Sequence, residues 1–245
     1  MWAERYFDAL ASQFARIRAE ERGAIEQAAT VMADALLRGR LIYVFGCGHS
    51  AMLSMDLFYR AGGLILVHPI FDERVILTRQ PVTETTDWEQ RQGWAQDTFR
   101  DSGAEAGDVI IILSTSGRNP APVDAALAAR EAGLAVIAVT SRAYANAHPS
   151  RHSSGKRLHD AADVVIDNHV KPGDAALSLP GLEQKVGPTS TALGSAIVQA
   201  VVVEALAKLL ARGEEPPVYI SANIPGGKEH NEAILARYRE RIRFL

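Results

Sequence analysis

Two loops in the sequence carry residues that can bind an anion. The first, residues 46–51, reads Gly-Cys-Gly-His-Ser-Ala and directly follows an apolar run. Its G-x-G-x-x-A pattern is typical of a dinucleotide-binding turn, in which the loop backbone and a helix N-terminus face a pyrophosphate. Gly48, His49 and Ser50 are its candidate contacts, but the hydroxyl of Ser50 equally suits a single phosphate. This loop alone therefore leaves both kinds of ligand open.

The second loop, residues 113–120, reads Leu-Ser-Thr-Ser-Gly-Arg-Asn-Pro. Its hydroxyl groups can donate to an anion, its glycine lets the backbone approach closely, and the helix that follows presents free N–H groups and a partial positive charge. These features predict a phosphate-binding loop whose candidate contacts are Ser114, Thr115, Ser116, Gly117 and Asn119. The alternative is a hydroxyl-rich turn that only caps the helix, with Asn119 as its N-cap.

Alternating apolar runs and helical periodicities indicate how these loops are positioned. Apolar strands are predicted at 41–45, 64–67, 109–113, 135–140 and 163–167. Helices are predicted at 3–38 with a break near Arg22-Gly23, then at 50–60, 87–101, 120–132, 189–212 and 226–243. Strands that alternate with helices predict an α/β three-layer sandwich with a five-stranded parallel sheet, flavodoxin-like order and additional N- and C-terminal helices.

Three parts are expected to form one structural unit. They are N-terminal helices (1–40), a ligand-binding core (41–212) and a C-terminal extension (213–245). The segments 141–162 and 168–188 are expected to be long irregular loops, and long loops often carry function.

The predicted strand order, 2-1-3-4-5, brings the two loops together. It makes the first and third strands neighbours, so both loops lie at the edge where ligands bind in open α/β sheets. A dinucleotide site would also need an acidic residue about twenty positions after the first loop. The nearest candidate, Asp72, falls beyond His68-Pro69 rather than at a strand end. A pair of hydroxyl-bearing loops suits a single phosphate better than a pyrophosphate.

The strings GCGHS and STSGRN together resemble the sugar isomerase (SIS) domain of phosphosugar isomerases and phosphosugar-binding regulators. Further strings, among them SRHSSGKRLHDAADVVIDN, PGDAAL, KVGPTST and EPPVYISANIPGG, resemble stand-alone bacterial SIS proteins related to phosphoheptose isomerase. The resemblance covers nearly the whole chain. It implies that Ser50, Ser114, Ser116 and Asn119 contact a sugar phosphate and that Thr115 contributes mainly its backbone.

Isomerisation of a sugar phosphate needs a base near C1 and C2. SIS isomerases use a Glu, either on the long helix after the fifth strand or on the helix after the first loop. Here the first of these has no acid before Glu204, and the nearest acid to the second is Asp56. The candidate bases are therefore Glu84 and Glu89, although a solvated surface position is the alternative for both. Glu89 is favoured because a helix holds a side chain more firmly than a loop.

Two histidines are candidates for ring opening or ligand contact. His152 lies in a basic segment, residues 149–157, at the predicted ligand edge of the sheet. It could open the sugar ring or contact substrate in its own or a neighbouring subunit, and the alternative is a solvated basic loop. His49 could touch the ligand or make a local hydrogen bond. Cys47 is expected to be a small packing residue, because no base is placed beside it.

These patterns favour an enzyme acting on a phosphorylated aldose or amino sugar, with a non-catalytic phosphosugar-binding module as the alternative. A dinucleotide-dependent oxidoreductase is the third hypothesis. No metal site and no cofactor are expected. The net charge of −3 does not point to nucleic acid as a partner.

The apolar stretch 186–203 contains hydroxyl and amide side chains that make it a poor membrane span, so no membrane is expected as a partner. The single Cys47 favours a reducing, cytoplasmic location. Apolar surface on the helices at 3–38 and 189–212 favours a homodimer or a dimer of dimers.

Overall fold

The computed structural model describes residues 1–244 and contains a five-stranded parallel sheet in the order β2-β1-β3-β4-β5. Its strands are β1 (Ile42–Gly46), β2 (Val67–Pro69), β3 (Val109–Leu113), β4 (Ala135–Thr140) and β5 (Val164–Asp167). The central strands are rich in Val and Ile because helices cover both of their faces. The register pairs Gly46 with Leu113, so the two predicted loops leave the sheet side by side. The predicted fold class and strand order are confirmed.

The helices lie on both faces of the sheet. They are α1 (Trp2–Glu20), α2 (Arg22–Leu37), α3 (His49–Leu57), α4 (Glu84–Glu89), α5 (Trp94–Arg100), α6 (Pro120–Glu131), α7 (Arg142–Asn146), α8 (Ser190–Leu210) and α9 (Gly227–Tyr238). A 3₁₀ turn spans Leu158–Asp160. Helices α2, α3 and α8 pack together on one face of the sheet, whereas α4, α5 and α6 pack together on the other.

The two ends of the chain both pack on the core. Ile17 of α1 and Met32 of α2 are buried in the main hydrophobic cluster. Near the other end, Tyr219 and Ile242 form a second buried cluster with Ile65. Of the C-terminal extension, only Leu245 lies outside the described residues.

The second strand was predicted in the wrong place. It spans Val67–Pro69 rather than 64–67, because the preceding residues pair with the C-terminal segment instead. Leu64 forms an antiparallel bridge with Val218, and the backbone N–H of Ile65 donates to the carbonyl of Pro217 at 2.9 Å. Both kinds of pairing bury these side chains, so the apolar run could not distinguish them.

The single helix predicted at 87–101 is also wrong, since the structure contains two helices there. Helix α4 ends at Glu89, and Gly93, with φ of +100°, redirects the chain into α5. The indole N–H of Trp94 donates to the carbonyl of Trp88 at 2.8 Å and holds the two helices together. The break makes Glu89 the last residue of α4.

Other boundaries differ more modestly from the prediction. Helix α3 ends at Leu57 and α9 at Tyr238, each earlier than expected. The segment 141–162 is not wholly irregular, because it contains α7 and the 3₁₀ turn. Within residues 1–244, α8 is the one helix long and apolar enough to cross a membrane by length and composition, and 44% of that window is buried inside the protein.

Candidate functional site

A cavity of about 520 Å³ opens at the carboxyl ends of β1 and β3. Seven of the eight predicted phosphate contacts line it: Gly48, His49, Ser50, Ser114, Thr115, Ser116 and Asn119. The parallel register of β1 and β3 explains the convergence, because it ends both strands at the same level. The structure therefore brings the two loops to one cavity.

The first loop is shaped by two glycines. A Cβ on Gly46 would lie 2.6 Å from the backbone oxygen of Ser50, so the turn needs a residue without a side chain there. Gly48 has φ of +57°, and its N–H donates to the carbonyl of Val75 at 2.8 Å. The chain then enters α3 at His49, so the N-terminus of this helix, with its partial positive charge, lies at the cavity.

The second loop depends on Gly117, although Gly117 does not itself line the cavity. Its φ is +58°, and a Cβ there would lie 2.5 Å from Oγ1 of Thr140, a fully buried residue. Its N–H donates to Oγ of Ser114 at 3.2 Å, which closes the turn. Gly117 therefore shapes the loop, and its predicted direct contact with the ligand is not supported by its position.

Asn119 precedes α6 but does not cap it with its side chain. Instead, Nη1 of Arg151 donates to Oδ1 of Asn119 at 2.9 Å. Because the arginine occupies the carbonyl oxygen, the amide NH₂ group is the part of the side chain left to interact with the cavity. Asn119 therefore occupies the predicted N-cap position, but its side chain makes no capping hydrogen bond and instead lines the cavity.

Glu89 lies in the wall of the cavity. Burial raises the pKa of its carboxyl above the usual value, while the Asn119 side chain and the positive charge of Arg151 act in the opposite direction. A raised pKa shifts the carboxyl in the direction that favours a general base, whose best pKa lies near the working pH. Burial, and secondarily the charge of Glu89, also raises the pKa of the Cys47 thiol well above its usual range. This thiol is a poor nucleophile.

The structure places the other two candidate catalytic residues outside the cavity. Glu84 forms a salt bridge with Arg79 at the start of α4. The His152 side chain is only 4% exposed, and its Nε2 lies 3.0 Å from Oδ1 of Asp124 on α6. Its Nδ1 lies 2.7 Å from Oγ of Ser154, so the ring fastens the 149–157 loop to α6. The expectation of a solvated basic loop is wrong for this buried histidine.

Asp174 and Ser190 also line the cavity and were not predicted as site residues. Oδ1 of Asp174 accepts hydrogen bonds from the backbone N–H groups of Thr189 and Ser190, both at 3.1 Å. The hydroxyl of Ser190 donates to Oδ2 at 2.5 Å. The strings PGD and PTST contain both residues, but Asp174 lies 54 positions and Ser190 70 positions beyond Pro120 at the end of the second loop. Only tertiary packing brings them to the cavity.

Positive charge in this cavity comes from helix ends rather than from lining side chains. Three helices, α3, α6 and α8, begin at residues in or next to its wall. The Asp174 carboxylate already occupies the N-terminus of α8, so α3 and α6 are the helix ends whose partial positive charge favours a ligand anion. Among residues 1–244, the lining contains no Lys or Arg and two acids, Glu89 and Asp174. In the same part of the chain, no group of three or more His, Cys, Asp or Glu side chains is placed to hold a metal ion.

Replacing Gly117 with alanine is expected to destabilise the protein by more than the same change at Gly155. Both glycines have a left-handed φ, +58° and +72°, which costs an L-residue about 1–2 kcal/mol. Only Gly117 has a neighbour, Thr140, in the space that a Cβ would fill. Overpacking adds about 1–3 kcal/mol, and denaturant titration of both variants measures the difference. Equal free energies of unfolding would contradict this explanation of Gly117.

The fold and the cavity define an open α/β protein whose cavity lies at the switch point of its sheet. The family model described as "SIS domain" matches residues 5–141, which include both loops. The chain belongs to the SIS domain family, as the sequence strings indicated. Asp174 and Ser190 lie outside the matched residues.

Two relatives cover almost the whole chain. The chain is 39% identical over 244 residues to a UPF0309 protein of Shouchella clausii (strain KSM-K16), which covers 100% of this chain and 99% of that protein. It is 41% identical over 241 residues to a UPF0309 protein of Geobacillus kaustophilus (strain HTA426), and the match covers 98% of this chain and 96% of that protein.

Two solved structures of low sequence identity share the fold. A phosphoheptose isomerase from Neisseria gonorrhoeae has a TM-score of 0.54 and 18% identity, with 84% of this chain and 98% of that chain covered. The Vibrio vulnificus NanR protein complexed with ManNAc-6P has a TM-score of 0.52 and 13% identity, and the match covers 99% of this chain and 70% of that chain. At these identities the likeness concerns the fold alone.

Proposed function

We propose that this protein binds a phosphorylated sugar in the cavity at β1 and β3 and catalyses its isomerisation or a related proton abstraction. The observation that carries the proposal is the presence of Glu89, a carboxyl with a raised pKa, in the same cavity as the two loops predicted to bind phosphate. The SIS family and its phosphosugar-related structural neighbours support phosphosugar binding. Catalysis by Glu89 is the part of the proposal that goes beyond this support.

The phosphate is proposed to lie between the first turns of α3 and α6. The partial positive charge of both helix N-termini favours the phosphate, and the hydroxyls of Ser50, Ser114, Thr115 and Ser116 can donate to its oxygens. Asn119 contributes its amide NH₂ group. Because the cavity lining among residues 1–244 contains no Lys or Arg, the proposed electrostatic stabilisation comes from helix N-termini and from Arg151 behind Asn119.

Glu89 is proposed as the base that removes the proton from C2 of an open-chain aldose phosphate. The resulting enediolate carries its charge on O1, and a proton passes from the O2 hydroxyl to O1. The enediolate then takes the proton back from Glu89 at C1, which gives the ketose and returns Glu89 to its ionised state. His49 is the imidazole that lines the cavity, so it takes the ring-opening role first considered for His152. His152 is proposed instead to hold the loop that carries Arg151.

A phosphosugar-binding module without chemistry is the second candidate. Neither of the positions where SIS isomerases carry their catalytic Glu holds a free acid here. Asp56, the acid nearest to one of them, accepts hydrogen bonds from Ser195 at 2.8 Å and Gln199 at 3.1 Å on α8. A dinucleotide-dependent oxidoreductase is the third candidate, supported only by the glycine pattern of the first loop. A cytoplasmic location fits the single, buried cysteine.

Sugar phosphates are expected to raise the melting temperature of the protein, and NAD, NADP and flavins are not. A ligand at one hundred times its Kd adds about 2.7 kcal/mol, which for a chain of this length corresponds to about 5–10 °C. The measurement is a thermal-shift screen with hexose, heptose and amino-sugar phosphates. The matching free sugars and inorganic phosphate serve as controls. Stabilisation by a dinucleotide alone would overturn the proposed ligand class.

A further inference from the structure

Asp124 is a carboxylate inside the protein that the proposed chemistry does not use. It lies on α6, five residues after Asn119 of the second loop, and it is fully buried. Oδ1 of Asp124 lies 3.0 Å from Nε2 of His152, and Oδ2 accepts the backbone N–H of Gly93 at 2.6 Å. Burial of a carboxylate is costly unless hydrogen bonds compensate for the lost water, and these two contacts provide that compensation.

The direction of both hydrogen bonds is assigned from the groups around His152. The backbone N–H of Ser154 donates to Nδ1 of the imidazole at 3.1 Å, so Nδ1 carries no proton. The ring proton is then on Nε2, which donates to Oδ1 of Asp124. Both partners of Asp124 are therefore donors, and only a side chain with two acceptor oxygens can serve them together.

The contact with His152 fixes the loop that carries Arg151. Nη1 of Arg151, the preceding residue, donates to Oδ1 of Asn119 in the wall of the cavity. The backbone of this loop is also bound to the second loop, since the N–H of Arg151 donates to the carbonyl of Arg118 at 2.9 Å. The ring of His152 adds an anchor to α6 inside the protein.

The contact with Gly93 fixes the linker that follows Glu89. Helix α4 ends at Glu89, and Gly93 precedes the first residue of α5. Oδ2 of Asp124 holds the N–H of Gly93. The side chain of Gln92 exchanges two hydrogen bonds with Ser153, at 2.8 and 3.1 Å. The linker and the loop are thus bound to each other and to α6.

We propose that Asp124 is a positioning residue of the cavity, whose two oxygens hold the linker after Glu89 and the loop of Arg151 in fixed positions relative to each other. Asn119 and Arg151 both act on the Glu89 carboxyl. The thiol of Cys47 is the titratable group that the charge of Glu89 affects in the same wall. Asp124 itself does not line the cavity, so it acts through these residues. This role rests on the proposed function of the cavity, whereas the contacts of Asp124 exist without ligand.

Asp124→Asn is expected to shift the titration of Glu89 to higher pH in the ligand-free protein. An amide has a single acceptor atom, so it serves either His152 or Gly93 and releases the other. Displacement of either partner weakens the polar contacts that lower the pKa of Glu89. The measurement is an NMR pH titration of protein labelled with ¹³C at the Glu carboxyls, in which Glu89→Gln assigns the signal.

Asp108→Asn is the matched control, because Asp108 has the same arrangement at the amino ends of β1 and β3, opposite the cavity. It is 4% exposed, and its two oxygens accept the backbone N–H groups of Leu41 and Glu105 at 2.9 and 2.8 Å. Both variants should lose free energy of unfolding in denaturant titration, but D108N should leave the titration of Glu89 unchanged. A shift of equal size in both variants would reduce Asp124 to a structural role and overturn the proposal.

His152→Ala keeps the proposal testable if D124N does not fold. It should shift the titration of Glu89 in the same direction as Arg151→Gln. In a protein that already carries R151Q, H152A should cause no further shift, because residues that act through one contact are not additive. An unchanged titration in H152A, or an equal further shift in the R151Q background, would overturn the proposal. The titration needs no ligand, so failure of sugar phosphates to bind would overturn the proposed function alone.

Discussion

Replacing Glu89 with glutamine is expected to abolish proton exchange at C1 or C2 of the bound sugar phosphate while leaving binding intact. Glutamine keeps the shape and the polar contact with Asn119 but cannot accept a proton. Loss of a general base lowers the rate by about 10²–10⁴-fold. The measurement is deuterium incorporation from D₂O, followed by NMR, with whichever sugar phosphate stabilises the protein.

The matched control is Glu84→Gln, five residues away on the same short helix. Glu84 is paired with Arg79 and does not line the cavity, so its replacement should leave exchange unchanged. Unchanged exchange in E89Q would remove Glu89 from the mechanism. Absence of exchange in the parent protein, with every sugar phosphate that binds, would favour the binding module.

The pH dependence of exchange should report the carboxyl of Glu89. Because burial raises its pKa, the base becomes ionised only as pH rises through that raised value. The charge of Arg151 lowers the same pKa, so Arg151→Gln should raise it and move the limb of the profile to higher pH. Arg151→Lys keeps the charge and should return the rise in exchange rate to the pH at which it occurs in the parent protein.

The sign of the stability effect follows from the same shift. A carboxyl whose pKa is higher in the folded than in the unfolded chain stabilises the fold at low pH, and this contribution is lost as pH rises through the folded value. Above the raised folded pKa, the ionised Glu89 therefore costs stability. E89Q should melt no lower than the parent, which separates loss of chemistry from loss of fold.

Ser50→Ala and Ser116→Ala are each expected to weaken binding of the sugar phosphate by about 1.5–3 kcal/mol, the usual contribution of a hydrogen bond to a charged group. This corresponds to roughly 10–150-fold in Kd. Both serines line the cavity at the open edge of the sheet, so the free energy of unfolding should change little. Isothermal titration calorimetry and denaturant titration measure the two quantities.

Ser114→Ala provides the contrasting control for the same loop. Oγ of Ser114 accepts a hydrogen bond from the N–H of Gly117, so this variant should lose stability as well as affinity. If S50A and S116A bind as tightly as the parent, the phosphate lies elsewhere and the assignment inferred from the SIS resemblance fails for these residues.

Much of the fold was predictable because its determinants are local. Each buried strand is a short run of Val and Ile between turn residues, and each phosphate loop joins a strand to a helix within six or seven positions. The order of the strands followed from the right-handed crossovers that such alternation requires. These same constraints located both loops at one edge, where the cavity lies.

The predicted strand boundaries were wrong where two different pairings bury the same apolar residues. Leu64 and Ile65 are buried whether they pair with β1 or with the C-terminal segment near Val218. The expectation that His152 lies in a solvated loop was wrong for a related reason. Its neighbours along the chain are exposed and basic, but its ring reaches Asp124, twenty-eight residues away, inside the protein.

The sequence by itself determined the fold class, the two loops and the family, because these depend on residues close together in the chain. Only the tertiary structure decided which acid lies in the cavity, since Glu84 and Glu89 share one short helix and differ in the direction they face. It also decided that Asp174 and Ser190 belong there. Packing brings such distant residues together, and the periodicity of the sequence does not determine which faces of the helices and strands contact each other.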